Sequence, residues 1–111
     1  MAFKMKQGDT LPDFERTLKL GSAAMNLTGA TVFFMMKKKG FDPIVISQQM
    51  AVTSAQEGAV KHVWAAGSTD ALEGDYIIEC EARWAGGRTF TFPNDGEGEV
   101  VTFIKDIGDG A

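Results

Sequence analysis

The sequence predicts an all-β fold, an antiparallel β-sandwich of about seven or eight short strands. Several short runs alternate between apolar and polar residues, which is typical of strands with one buried and one wet face. Gly, Asn, Asp and Pro punctuate the chain roughly every ten residues, the spacing expected of a sandwich or barrel. Only residues 68–73 carry a helical pattern, with Asp70 and Glu73 at N-cap spacing before Gly74.

Length and composition fit one domain over residues 1–111. Hydrophobic residues make up 44% and charged residues 23%, both ordinary for a globular protein. Residues 1–8 form either an N-terminal arm or a short strand, and residues 107–111 are expected to fray. The formal net charge of −4 argues against nucleic-acid binding, and no apolar run reaches the roughly 18 residues of a membrane span.

The best-specified part of the chain is a hairpin over residues 76–92. Its first strand places five residues on one side: Tyr76, Ile78, Cys80, Ala82 and Trp84. A three-residue loop at 86–88 sets Trp84 opposite Phe90 and Ala82 opposite Phe92, which keeps the aromatic rings on one face. The residues predicted to be buried in the core are Trp64, Tyr76, Ile78, Trp84, Phe90 and Phe92.

The other strand candidates are residues 13–20, 30–38, 44–50, 59–64 and 99–106. The strand at 30–38 is unusual because both of its faces are apolar. Val32, Phe34 and Met36 lie on one side, and Phe33 and Met35 on the other. Such a strand either lies between two layers or carries an interface on its outer side. If Val32, Phe34 and Met36 fill the core, Phe33 and Met35 are the candidate interface residues, with cover by the N-terminal arm as the alternative.

No catalytic arrangement is recognisable. The single histidine, His62, shares a strand face with Val60 and Trp64, which favours a packed core histidine over a general base. Cys80 lies on an apolar strand face without a neighbour that would lower its pKa, so an inert thiol is expected. The oxygen-rich segment 94–99 lacks the order of a calcium loop. The sequence therefore predicts no enzyme activity, no cofactor and no metal site.

Asp70, Gly74 and Tyr76 form a bend followed by a tyrosine at the start of a strand. This spacing resembles the tyrosine corner of immunoglobulin-like sandwiches, in which the hydroxyl bonds the backbone of the corner. Cys80 follows Tyr76 by four residues and has no partner cysteine. The disulfide-centred immunoglobulin subtype is therefore excluded.

Five segments, in order and spacing, resemble a known family: Gln7-Gly8-Asp9-Thr10, Asn26-Leu27-Thr28-Gly29-Ala30-Thr31-Val32-x-Phe34-x-Met36, Gly58-Ala59-Val60-x-His62-x-Trp64, Asp70-x-x-x-Gly74-x-Tyr76 and Thr91-Phe92-Pro93-Asn94-Asp95-Gly96. Over residues 7–105 the chain resembles the N-terminal domain of the phage baseplate upper protein family. The resemblance implies an immunoglobulin-like sandwich in a virion tail or baseplate. It also implies that Val32, Phe34 and Met36 face the core and that Phe33 and Met35 face outward.

The function expected from this resemblance is that of a non-catalytic structural subunit of a phage or prophage tail. Its partners would be other tail or baseplate proteins, or further copies of itself, in a virion assembled from protein made in the bacterial cytoplasm. Neither nucleic acid nor membrane insertion is expected. Two other classes stay open: a carbohydrate-binding sandwich, which would need Trp64 and Trp84 at the surface, and a small cytosolic adaptor.

Overall fold

A computed structural model describes residues 3–93 and 98–105 of the chain. Over these residues it confirms the predicted all-β class and contains no helix. The strands are β1 (Phe3–Lys6), β2 (Phe14–Thr17), β3 (Lys19–Leu20), β4 (Ala23–Ala24), β5 (Thr31–Lys38), β6 (Ile44–Gln49), β7 (Ala51–Ser54), β8 (Ala59–His62), β9 (Gly74–Arg83), β10 (Thr89–Phe92) and β11 (Glu99–Ile104).

The strands form two sheets and a separate β3–β4 hairpin. The large sheet has the order β1-β11-β9-β5-β6, with β10 also paired to β9, and the small sheet has the order β2-β8-β7. Every pair is antiparallel except β1 with β11, which is parallel. The large sheet is therefore mixed, and the prediction of a purely antiparallel fold is wrong at this strand. Met5 is buried in β1, so apolar burial holds the N-terminal segment in the sheet.

The described residues contain more strands than the predicted seven or eight, because the predicted strand at 13–20 is divided at Leu18 into β2 and β3, and because β4 and β7 were not predicted. The turn at Gly21 and Ser22 closes the two-residue strands β3 and β4. The predicted strand at 44–50 also continues past Met50 as β7. At that point the Met50 N–H donates to the Val32 carbonyl at 2.8 Å, and the chain passes from the large sheet to the small one.

Residues 68–73 do not form the predicted helical turn. Three consecutive tight turns run through this stretch, with N–H groups of Ser68, Asp70 and Leu72 donating to carbonyls three residues earlier. The segment is too short to repay helix nucleation. Gly74, the glycine that would have ended the predicted helical turn, instead begins β9 with a φ of 98°.

The loop between β9 and β10 has the predicted length of three residues but begins one residue earlier than predicted. The predicted pairing of Trp84 with Phe90 and of Ala82 with Phe92 is wrong, because Phe90 pairs with Ala82 and Phe92 with Cys80. The Trp84 N–H donates to the Arg88 carbonyl at 2.8 Å. The loop is therefore residues 85–87. The glycines at 86 and 87 both adopt positive φ, of 88° and 86°, so both lie inside the loop and residue 88 returns to the pairing.

The two sheets pack face to face through aromatic side chains. The Phe34 ring stacks on His62 of the small sheet, with centroids 3.9 Å apart and planes at 4°. Phe14 and Trp64 meet the same phenylalanine edge to face at 5.6 and 5.5 Å. Offset-stacked and edge-to-face pairs are the favourable geometries for aromatic rings. Phe34 is therefore the centre of the contact between the layers.

Gly58 lies where three backbone segments converge. Its carbonyl accepts from the Leu18 N–H at 2.8 Å, and the Leu18 carbonyl accepts from the Met25 N–H at the same distance. A Cβ at position 58 would lie 2.7 Å from the Met25 oxygen, and φ here is 71°. Only glycine allows this approach without displacing the backbone.

Burial of the predicted core residues is confirmed for Trp64, Tyr76 and Ile78, which are at most 4% exposed. Trp84, Phe90 and Phe92 are only partly buried. Trp84 lies beyond the end of β9, and β10 pairs with β9 alone. Trp84 and Phe92 nevertheless pack against the core cluster.

We expect Trp64→Ala to lower the free energy of unfolding by about 3–5 kcal/mol, because it leaves a cavity between the sheets. Trp84→Ala should cost less, about 1–3 kcal/mol, because that ring is partly solvated already. Urea denaturation followed by circular dichroism measures both values. Equal losses for the two variants would contradict the difference in burial.

Candidate protein interface

The outer face of the large sheet is the side of β5, β6 and β9 turned away from the small sheet. The inner residues of β5, which are Val32, Phe34 and Met36, are at most 1% exposed. Phe33 and Met35 are partly exposed on the outer face. The structure therefore gives β5 the two apolar sides that the sequence indicated, one filling the core and one meeting solvent.

The outer face is apolar along β5 and charged along β9. Phe33 pairs with Glu81 and Met35 with Glu79 in the β5–β9 register. The Arg83 guanidinium lies 4.4 Å from the Phe33 ring centroid and forms an ion pair with Glu81. A cation over an exposed ring contributes about 0.5–1 kcal/mol. Arg83 therefore shields one side of Phe33 without burying it.

A shallow hollow of about 270 Å³ extends the apolar surface beside Met35. Its wall includes Ile44, which is 58% exposed, and Ile77, which is only 5% exposed. Ile77 has the outward parity of β9, and its Cγ2 atom lies close against Gly98, the residue before β11. Charged groups also line the hollow: Lys37, Asp42 and Glu79.

The N-terminal segment does not cover this face. β1 lies at the end of the large sheet opposite β6, separated from β5 by β11 and β9. Phe3 contacts the core residue Phe14 at 5.5 Å, between the layers. The alternative in which an N-terminal arm overlies Phe33 and Met35 is therefore wrong for the described residues from Phe3 onward. Within residues 3–93 and 98–105, the sheet order places no further layer over them.

The predicted corner is held by a different residue from the one expected. Tyr76 packs edge to face against Phe103 at 5.6 Å, and in the described part of the chain its hydroxyl makes no hydrogen bond to the Asp70 turn. Instead, the fully buried Thr69 hydroxyl donates to the Asp9 carbonyl at 2.7 Å, and the Gly8 N–H donates to the Thr69 carbonyl at 3.2 Å. The turn is therefore tied to the segment after β1.

Sequence reasoning missed an ion pair between the sheets. Arg16 of β2 donates from Nε to both oxygens of Glu99 of β11, at 2.8 and 2.9 Å. The guanidinium also lies over Phe14, 4.3 Å from its centroid. The two side chains are 28% and 18% exposed. The pair covers one end of the core, and no local pattern could reveal partners that are 83 residues apart.

His62 is a core residue, 2% exposed, between the rings of Phe34 and Trp64. Its Nε2 atom has no hydrogen-bond partner in the described part of the chain. Burial lowers the pKa of His62 to about 4, and the nearby Asp13 carboxylate offsets this only in part. The neutral imidazole therefore acts as an aromatic packing group.

Cys80 is buried on the inner side of β9. Burial raises the pKa of its thiol to about 12, and the Glu99 carboxylate adds to the rise. Because the thiolate is the reactive form, this environment makes the group a poor nucleophile.

The two tryptophans differ in what they offer to a ligand. Trp64 is 2% exposed, and its indole donates to the Pro12 carbonyl at 3.1 Å, so it cannot serve as a carbohydrate platform. Trp84 donates to the Thr28 carbonyl at 3.1 Å and lines an open hollow of about 520 Å³. Phe90 and Arg88 share that hollow.

The segment considered for metal binding lies largely outside the described residues, at 94–97. In the described part, no three His, Cys, Asp or Glu side chains come together as metal ligands. The described residues also include no helix long and apolar enough to cross a membrane.

His62 should make stability depend on pH below neutrality. Its pKa is about 4 when folded and 6.5 ordinarily, so the unfolded chain takes up the proton first. The contribution of His62 to the free energy of unfolding is fully present well above pH 6.5. It is lost as the pH falls through about 4, by roughly 3 kcal/mol in total. The control is His62→Phe, which keeps an aromatic ring and removes the titration. Parallel pH profiles of the two unfolding free energies would contradict the assignment.

Cys80 should react slowly with Ellman's reagent in the native protein. At pH 8 a pKa of about 12 lowers the thiolate fraction roughly 1,000-fold relative to a free cysteine. Denaturation in guanidinium should restore the ordinary rate. Ala24→Cys, at an exposed position in β4, supplies a matched accessible thiol. A native rate for Cys80 equal to that of the added cysteine would show that this face of β9 is open.

Comparison with protein-family models and with curated proteins finds no match to this chain.

Proposed function

We propose that the protein is a non-catalytic structural subunit of a bacteriophage or prophage tail or baseplate that works by protein–protein assembly. The observation that carries the proposal is the outer face at Phe33 and Met35. These side chains stand on a central strand whose opposite side fills the core, and among the described residues the sheet order places no further layer over them. A solvent-facing apolar surface on a central strand is typical of an interaction site.

The resemblance to the baseplate upper protein family supplies the biological setting. Several of its segments occupy structural positions: Gly58 at the backbone crossing, His62 and Trp64 in the interlayer stack, and Phe34 at its centre. The two facing sheets are consistent with the sandwich that the resemblance implies, and the immunoglobulin-like topology forms part of the proposal. The partners are other tail or baseplate proteins, and the assembled location is the virion.

The chemistry of the outer face suits a specific interface. Complete transfer of two such side chains from water is worth roughly 3–6 kcal/mol, and this is an upper bound because Phe33 and Met35 are partly buried already. The charged row formed by Glu79, Glu81 and Arg83 borders these two side chains. An apolar centre with a charged rim gives both affinity and orientation, because misplaced partners meet unpaired charges.

The double variant Phe33→Ser, Met35→Ser should remain folded and lose assembly. We expect its incorporation into particles from the host strain to fall about tenfold or more, because the apolar contact is removed from both positions. The measurement is immunoblotting of purified particles, with thermal melting of the isolated protein alongside. The matched control is Leu11→Ser, Val63→Ser, which removes two exposed apolar side chains elsewhere on the surface.

Three results would count against the proposal in different ways. Absence of the wild-type chain from purified particles would end the tail assignment. Unfolding of the isolated double variant would show that Phe33 and Met35 are needed for the fold itself. Equal incorporation of the double variant and its control would place the interface elsewhere.

A further inference from the structure

The exposed strand edges of this protein differ in charge. β1 ends the large sheet at one side and carries Lys4 and Lys6, and β2 ends the small sheet with Glu15 and Arg16. Charged side chains on an edge strand oppose pairing with another chain. β6 and β7 end the two sheets at the other side, and residues 43–56 contain no charged residue.

The outer edge of β6 has backbone groups available for pairing. β6 is bonded to β5 on one side and, within residues 3–93 and 98–105, is the last strand of the large sheet. Its register slips at Val45, and pairing from Ile46 to Gln49 is regular. Alternate residues along this segment direct their N–H and C=O groups away from β5, where a further strand can form hydrogen bonds with them.

We propose that β6 pairs antiparallel with β6 of a second copy of the chain, about a two-fold axis centred on Ser47. A two-fold interface must be complementary to itself. About this axis Ser47 lies opposite Ser47, whose hydroxyl both donates and accepts hydrogen bonds, and Ile46 lies opposite Gln48. No charges oppose one another within the paired segment, whereas the same arrangement at β1 would bring lysines together.

The pairing joins two large sheets without changing which side faces outward. Ser47 is the register partner of Met35 and Gln49 that of Phe33, so both lie on the outer face. A two-fold axis normal to the sheet sets outer-face residues of one copy beside outer-face residues of the other. The inference concerns the strand edge and is independent of the partner proposed for the face.

Self-association of the purified full-length chain tests the proposal. We expect sedimentation velocity to show a concentration-dependent monomer–dimer equilibrium. Ser47→Lys sets two lysines opposite each other and should weaken the dimer about tenfold or more. Ala24→Lys, which adds the same charge at an exposed position of β4, should leave it unchanged. Thermal melting checks that both variants are folded.

A cysteine variant tests whether Ser47 of one copy lies opposite Ser47 of the other. Ser47→Cys should form a disulfide-linked dimer under mild oxidation, since the native Cys80 is buried. Ala24→Cys should not. A wild-type protein that is monomeric at every concentration would overturn the proposal and leave the tail assignment standing. A dimer that Ser47→Lys leaves unchanged would also overturn the proposal. So would a dimer that the double variant Phe33→Ser, Met35→Ser abolishes and that Ser47→Cys fails to cross-link.

Discussion

The stacking of Phe34 on His62 fixes the relation between the two sheets. The rings lie 3.9 Å apart and nearly parallel, and Phe34 is fully buried. Because side chains alternate along a strand, seating Phe34 in the core directs its neighbours Phe33 and Met35 to the opposite side. The exposed apolar face is therefore a consequence of how the core is packed. A change that turned Phe33 inward would have to turn Phe34 outward and separate the sheets.

Two arginine–glutamate ion pairs in the described part of the chain differ in burial and therefore in their contribution to stability. Arg16 and Glu99 join the sheets at the end of the core, with side chains 28% and 18% exposed. Arg83, paired with Glu81 on the outer face, is 52% exposed. Breaking a partly buried pair leaves a charge that water solvates poorly, whereas an exposed pair contributes little to stability. In the proposed interface, Arg83 is therefore free to exchange its partner when another protein covers Phe33.

The sequence revealed what depends on period-two alternation and missed what depends on contacts between distant residues. The two sides of β5 and the loop length after β9 followed from alternation and paired glycines, whereas the choice of which side of β5 faces the core came from the family resemblance. The pairing of β1 with β11 did not, because four residues with one buried methionine fit an arm as well as a strand. The Thr69 bond to Asp9 spans 60 residues, so the tyrosine at 76 was the only visible candidate for holding the corner.

The centre of the outer face, at Phe33 and Met35, and the outer edge of β6 lie on adjacent strands but point in different directions. Met35 and Ser47 are direct partners across β5 and β6, so one strand separates the centre of the face from the edge. A partner on the face would stack on the sheet, whereas a strand added at β6 would lie in its plane. Neither contact occupies the surface that the other needs. The two proposed contacts therefore use separate surfaces, which different neighbours can occupy at the same time.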